Sequence, residues 1–169
     1  PTLKHGINLE LEGSTTSSFY GLSATVGYQN RNLFKGVEML NTAVTFGYEY
    51  MKAQHIQRRR ANELGVTVGL SFPRFILPFN LSTRNINMPR TKVELSYNYQ
   101  DRPYYQRGLS SVSWVYSWRN RTNSSFVIRP IGINWVDVSY IDQDYFNSLQ
   151  NQYLKHSFES QLIVAISGS

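Results

Sequence analysis

Apolar and small polar residues alternate with a period of two in about eight successive stretches of this chain. A period of two puts neighbouring side chains on opposite faces of an extended backbone, so each stretch reads as a two-faced β-strand. In the first, Ile7, Leu9 and Leu11 share one face and Asn8, Glu10 and Glu12 the other. The next sets Tyr20, Leu22, Ala24, Val26 and Tyr28 against Gly21, Ser23, Thr25, Gly27 and Gln29. Alternation returns over Leu40–Tyr50, Leu64–Phe72, Val93–Gln100 and Ser111–Trp118, less regularly over Phe126–Tyr140, and last over Phe158–Ile166. Helical spacing is sustained nowhere, and the chain reads as all-β.

The non-apolar face decides what kind of β protein this is. Charged residues are only 17% of the chain, against about 25% in ordinary soluble domains. The polar positions carry Gly, Ser, Thr, Asn and Gln with scattered Glu, which suits a hydrated lumen better than an exposed surface. A soluble barrel points its apolar residues inward and shows charge outside. Here the apolar faces end in Tyr48, Tyr50, Tyr97, Tyr99, Trp114 and Trp118, which suits lipid flanked by aromatic girdles. Several stretches also reach the ~9–11 residues that a tilted membrane strand needs. A lipocalin-like soluble barrel holding a ligand is the alternative reading of the same alternation.

A membrane-spanning helix requires about 18 apolar residues, whereas the purely apolar run Phe75–Phe79 has five and contains Pro78. This excludes a helical membrane protein and leaves a β-barrel open, because its lipid-facing residues are diluted by lumen-facing ones. The start, Pro1-Thr2-Leu3-Lys4-His5, has no apolar signal core, so the expectation is a removed signal or a segment from within a longer protein. Of the connections, Gly13–Ser18, Lys52–Asn62 and Asp142–His156 read as polar loops, and Asn30–Gly36 as a tight turn with an apolar plug. The segment Phe72–Phe79 holds two prolines and reads as a turn packed on the rim.

Chemistry is sparse. Cysteine is absent, and His5, His55 and His156 lie in separate segments, so no metal-ligand spacing exists. Neither a Gly-x-Ser-x-Gly elbow nor a phosphate-binding glycine loop occurs. No enzyme activity, cofactor or metal is expected. Arg58-Arg59-Arg60 reads as a solvated loop or as a contact for the phosphates of lipid headgroups. Nucleic acid is not an expected partner, because the aromatics sit on the apolar faces instead of interleaving with cations. Gly21, Gly27, Gly47, Gly65 and Gly69 read as sites of barrel curvature and close strand approach.

The run Gly21–Gly36, with Asn32-Leu33-Phe34-Lys35-Gly36 as its turn and Leu40–Tyr50 as the following strand, resembles the second strand and first periplasmic turn of BamA/TamA-type outer-membrane assembly factors. Tyr97–Tyr105 and Asn151–Gln161 are similar to the Bacteroidetes branch of that family. The resemblance implies a Gram-negative outer membrane and a sixteen-stranded antiparallel transmembrane barrel. Residues 1–169 would then be one barrel half without periplasmic domains, cut at each end. The remaining strands or accessory assembly subunits would be supplied from elsewhere.

The family's function, so implied, comes from a seam. The first strand pairs weakly with the last, and its opened edge templates strands of unfolded β-barrel substrates by β-augmentation. Carried onto this chain, the lateral-gate strand runs from about His5 to Glu12, with the backbone of Gly6, Ile7, Asn8, Leu9, Glu10 and Leu11 as template. Asn32, Leu33, Phe34 and Gly36 would form the periplasmic turn. The alternative is a self-closed eight-stranded outer-membrane barrel with a passive pore or structural role, since eight strands suffice for closure.

Overall fold

The computed structural model describes residues 4–52, 60–76, 86–120, 124–143 and 160–168. They form eight strands: β1 (His5–Thr15), β2 (Phe19–Arg31), β3 (Met39–Met51), β4 (Arg60–Phe72), β5 (Ile86–Asp101), β6 (Tyr105–Asn120), β7 (Ser125–Ile141) and β8 (Gln161–Gly168). Each pairs antiparallel with its neighbours in chain order, giving one up-and-down sheet. β1 and β8 do not pair. The self-closed eight-stranded barrel is therefore not the arrangement found; the sheet is open, with two free edges.

Register turns the sequence alternation into two surfaces. One row across the sheet reads Leu9, Val26, Val44, Val66, Tyr97, Ser110, Trp135, Leu162. The next row reads Glu10, Thr25, Thr45, Gly65, Asn98, Leu109, Val136, Gln161. A one-residue slip in any pair would exchange these faces for the whole strand. A groove of about 470 Å³ on the polar face is bounded by side chains from β1 through β5, Asn8 and Glu94 among them. Along β2 the polar-face residues Gly21, Ser23, Thr25, Gly27 and Gln29 are the less exposed and Tyr20, Leu22, Val26 and Tyr28 the more exposed, so the sheet curls with its polar face concave and its apolar face convex.

Apart from its lower rim, the convex face is uncovered among the described residues. Among the described residues, Ala61 is the only buried hydrophobic, at 3% exposure, while Leu9, Leu22, Phe46, Leu95, Trp135 and Val164 all stand exposed. Among the described residues no hydrophobic core lies beneath the sheet. Aromatics gather at strand ends on this face: Tyr20, Tyr48, Tyr50 and Tyr99 at one rim, and Tyr28, Phe72, Tyr116 and Trp118 at the other. Tyr97 and Trp114, expected at strand tips, instead stand further in, Tyr97 opposite Val66 and Ser110 and Trp114 opposite Val93 and Ile131.

Several strands outrun their alternating stretch. β1 continues through Gly13-Ser14-Thr15, read above as loop, because pairing with Tyr20, Gly21 and Leu22 satisfies its backbone. The connection shrinks to three residues, held by Thr16 N–H donating to Phe19 O (2.9 Å), with the Ser18 and Phe19 amides capped by Thr16 Oγ1. β5 starts at Ile86, where Pro89 and a register shift between Asn87 and Arg90 hide the period. β7 contains Pro130 at a shift seen against both neighbours, and a second shift near Ser139. Prolines at bulges cost no ladder hydrogen bond, which explains why a strand of 17 residues alternates poorly. β8 begins at Gln161; Phe158 lies outside the described residues.

Candidate functional site

The exposed edge of β1 is a row of unpaired backbone groups whose phase is fixed by its hairpin. Arg31 N–H donates to Lys4 O (2.8 Å) at one end and Thr16 N–H to Phe19 O at the other. In an antiparallel ladder, bonded and non-bonded pairs alternate. Even-numbered residues of β1 consequently spend their amides and carbonyls on β2. His5, Ile7, Leu9, Leu11, Gly13 and Thr15 turn theirs to the open side. Of the six expected template residues, Ile7, Leu9 and Leu11 thus offer backbone groups outward, whereas Gly6, Asn8 and Glu10 spend theirs on β2.

Among the described residues no strand, strap or bulge covers this edge, and its only charged positions on the inward side are Glu10 and Glu12. The register with β2 runs unbroken over eleven pairs, without bulge, proline or lysine. All its residues are exposed, Ile7 to 79%. Natural proteins protect free edges with such devices, because a straight, bare edge recruits another strand. Asn8 lies over Gly27, its amide filling the space a Cβ there would need, and Ser14 does the same over Gly21. Glycines in β2 therefore let the first strand sit close.

The concave face is a web of cross-strand polar pairs. Thr25 and Thr45 hydroxyls meet at 3.0 Å, Gln29 Nε2 donates to Asn41 Oδ1 (2.8 Å), and Ser96 and Ser111 hydroxyls meet at 2.7 Å. Asn98 Nδ2 donates to Glu63 Oε1 (2.6 Å), and Arg102 forms an ion pair with Glu49 at 3.1 Å. A second groove, of about 250 Å³, is bounded by Glu12, Glu49, Glu63 and Arg102. Carboxylates outnumber cations there, which makes the upper part of the concavity acidic.

The β2–β3 turn is organised by a residue that the sequence reading passed over. Glu38, 4% exposed, accepts from the Asn32 (2.6 Å) and Leu33 (3.1 Å) amides with its backbone carbonyl. Its side-chain Oε2 accepts from Gly36 N–H (2.9 Å) and Phe34 N–H (3.3 Å). Its own backbone N–H holds the carboxyl below its usual range, burial opposes this, and the Gly36 and Phe34 amides and the Arg74 charge add to the lowering. Asn32 Oδ1 accepts from Val37 N–H (3.0 Å). Asn32, Lys35 and Val37 all have positive φ, and for a β-branched residue like Val37 (65°) that is costly backbone. Phe34 and Val37 are exposed at the tip, so the turn carries no buried apolar plug.

Arg74 belongs to a strap, Pro73–Ile76, that lies along the lower rim of the convex face. Thr91, wholly buried, donates from Oγ1 to Arg74 O (2.8 Å) and accepts from Ile76 N–H (3.0 Å). Tyr116 donates its hydroxyl to Ile76 O (2.7 Å), and Phe75 packs edge-on against Tyr116 (5.7 Å) and Trp118 (5.8 Å). Of the expected rim turn, Phe72–Ile76 packs on the rim in this way, and Leu77, Pro78 and Phe79 lie outside the described residues. Thr91 gave no sign of this role in the sequence, because burial by a strap is a tertiary event.

The remaining expected residues are dispersed. Arg60 opens β4, exposed and opposite Tyr50. Arg58 and Arg59 lie outside the described residues, as do His55 and His156. The β1 edge and the β2–β3 turn share the lower rim, where Arg31 bonds Lys4. Among the described residues no group of three or more His, Asp or Glu is placed to hold a metal, and no helix is long and apolar enough to cross a membrane. Comparison with protein-family models, curated proteins and solved structures finds no match to this chain.

Proposed function

We propose that this chain is part of the wall of a bacterial outer-membrane β-barrel of the assembly and insertion type, with β1 as the strand that receives substrate strands. One observation carries the membrane part: the convex face exposes its aliphatic residues while Ala61 alone among described hydrophobics is buried. A sheet so built needs an apolar medium on one side and water on the other, which a bilayer and a hydrated lumen provide. Strand length agrees. The 13 residues of β2, β3 and β4 extend ~43 Å at about 3.3 Å each, and a ~45° tilt reduces that to ~30 Å, the thickness of a hydrocarbon core.

The edges support the rest of the reading. In hydrocarbon each unpaired backbone group costs several kcal/mol, so β1 and β8 require partners from further strands. A sixteen-stranded barrel supplies them, with β1 at the seam. Its regular, uncovered edge suits a strand that pairs with more than one partner in turn.

The test is crosslinking from single cysteines placed along Ile7–Glu12, in the full-length protein in membranes. Residues 1–169 contain no cysteine, so none within this segment competes with the probes. The proposal expects bonds to a stalled β-barrel substrate, strongest from Asn8, Glu10 and Glu12, whose side chains are the non-hydrogen-bonded and therefore closer ones towards an incoming strand. A permanent bond to one closing strand under every condition, with no substrate bond, would make β1 an ordinary barrel wall.

A further inference from the structure

We infer that the β1 edge selects strands carrying lysine or arginine at two successive lumen-facing positions, through Glu10 and Glu12. This inference rests on the proposed docking role of β1 and adds the class of strand it takes. Both glutamates point to the concave face, opposite Thr25 and Ser23 of β2. Neither has an ion-pair or hydrogen-bond partner among the described residues. The nearby cations are engaged: Arg102 with Glu49, and Lys52 with Thr16 O (2.5 Å) and the Tyr20 ring (3.9 Å) on the convex side.

Ladder phase makes these two positions decisive. Glu10 and Glu12 spend their backbone groups on β2, so towards an incoming antiparallel strand they are non-hydrogen-bonded positions. Side chains in such pairs approach most closely, with Cα atoms about 4.5 Å apart. Ile7, Leu9 and Leu11 meanwhile supply the backbone bonds and an exposed apolar surface. The strand that fits is amphipathic: apolar towards lipid, and cationic at the two inward positions facing Glu10 and Glu12. A second copy of this chain is a poor occupant. Its free β8 would set Gln161, Ile163 and Ala165 on the inward side, leaving apolar groups against carboxylates.

The experiment uses the full-length protein in membranes with Leu9→Cys and a stalled barrel substrate bearing a cysteine in its terminal strand. That strand carries Lys, Ser or Glu at two successive inward positions. Crosslink yield is expected to fall in the order Lys, Ser, Glu, by about twofold to fivefold per charge pair, and the difference to shrink with salt. Glu10→Lys with Glu12→Lys should reverse the order, and the double Gln variant should flatten it. Equal yields from all three strands would overturn the charge selection while leaving β1 docking intact. No crosslink from any strand would remove β1 docking, and this inference with it.

Discussion

Replacing Thr91 with valine should release the Pro73–Ile76 strap from the convex face. Valine matches threonine in shape, so no cavity opens; the loss is one oxygen that serves two backbone groups, Arg74 O at 2.8 Å and Ile76 N–H at 3.0 Å. Leaving a buried polar group unpaired costs about 1–3 kcal/mol, or roughly 2–6 kcal/mol for both if the strap stayed in place. Its other ties are the two edge contacts of Phe75, about 0.5–1.5 kcal/mol each, and the Tyr116 hydroxyl bond to Ile76 O, of similar size. Those ties total no more than the penalty, so the strap detaches instead of remaining with two orphaned groups. The measured loss is then limited to the docking free energy, about 2–4 kcal/mol. Thr91→Ser keeps both bonds and loses a methyl group, for about 1 kcal/mol. Urea unfolding of the refolded protein gives the two stabilities, and trypsin reports the strap directly at the Arg74–Phe75 bond. The valine variant should be cut there under conditions that spare the parent and the serine variant. If valine and serine unfold within about 0.5 kcal/mol of each other and are cut alike, the strap is not held by Thr91.

Two further outcomes test the faces and the turn. On the proposed outer-membrane reading, Val26→Arg places a charge at mid-strand on the lipid side and should lower stability in bilayers by about 2–4 kcal/mol, whereas Thr25→Arg, one residue away on the concave side, should cost under about 1 kcal/mol; equal costs by folding titration into vesicles would contradict that reading. For Glu38, the folded value lies below the ordinary 4.5, so the carboxylate's hold on the turn is complete above that pH and is lost as pH falls through the lowered value. Amide protection at Phe34 and Gly36, relative to the intrinsic exchange rate at each pH, should fall only in that acid range, and Glu38→Gln should abolish the acid step; a loss of protection near neutrality would contradict this account.

Much of the fold was legible because strand periodicity is local. Leu22, Ala24 and Val26 must share a face whenever residues 19–31 are extended, and the structure places them so. Legibility failed where alternation and pairing part company. Gly13-Ser14-Thr15 looks like loop by composition, yet hairpin partners extend β1 across it. Ile86–Thr91 looks irregular because Pro89 sits at a bulge that only neighbouring strands define. At the turn, Phe34 looked like a plug by hydrophobicity, while Glu38 does the holding through amides that converge only when Asn32, Lys35 and Val37 adopt positive φ. The edge strand was legible as a strand, but not which of its residues face outward with their backbone.

By itself the sequence determined an all-β chain of two-faced strands with one apolar and one weakly charged polar side. It did so because a period of two fixes relative facing without reference to any partner. Only the tertiary structure decided that the polar side is concave, that β1 and β8 stay unpaired, and which amides β1 leaves free. Curvature, closure and ladder phase are properties of how strands are joined, and the composition of a single strand contains none of them.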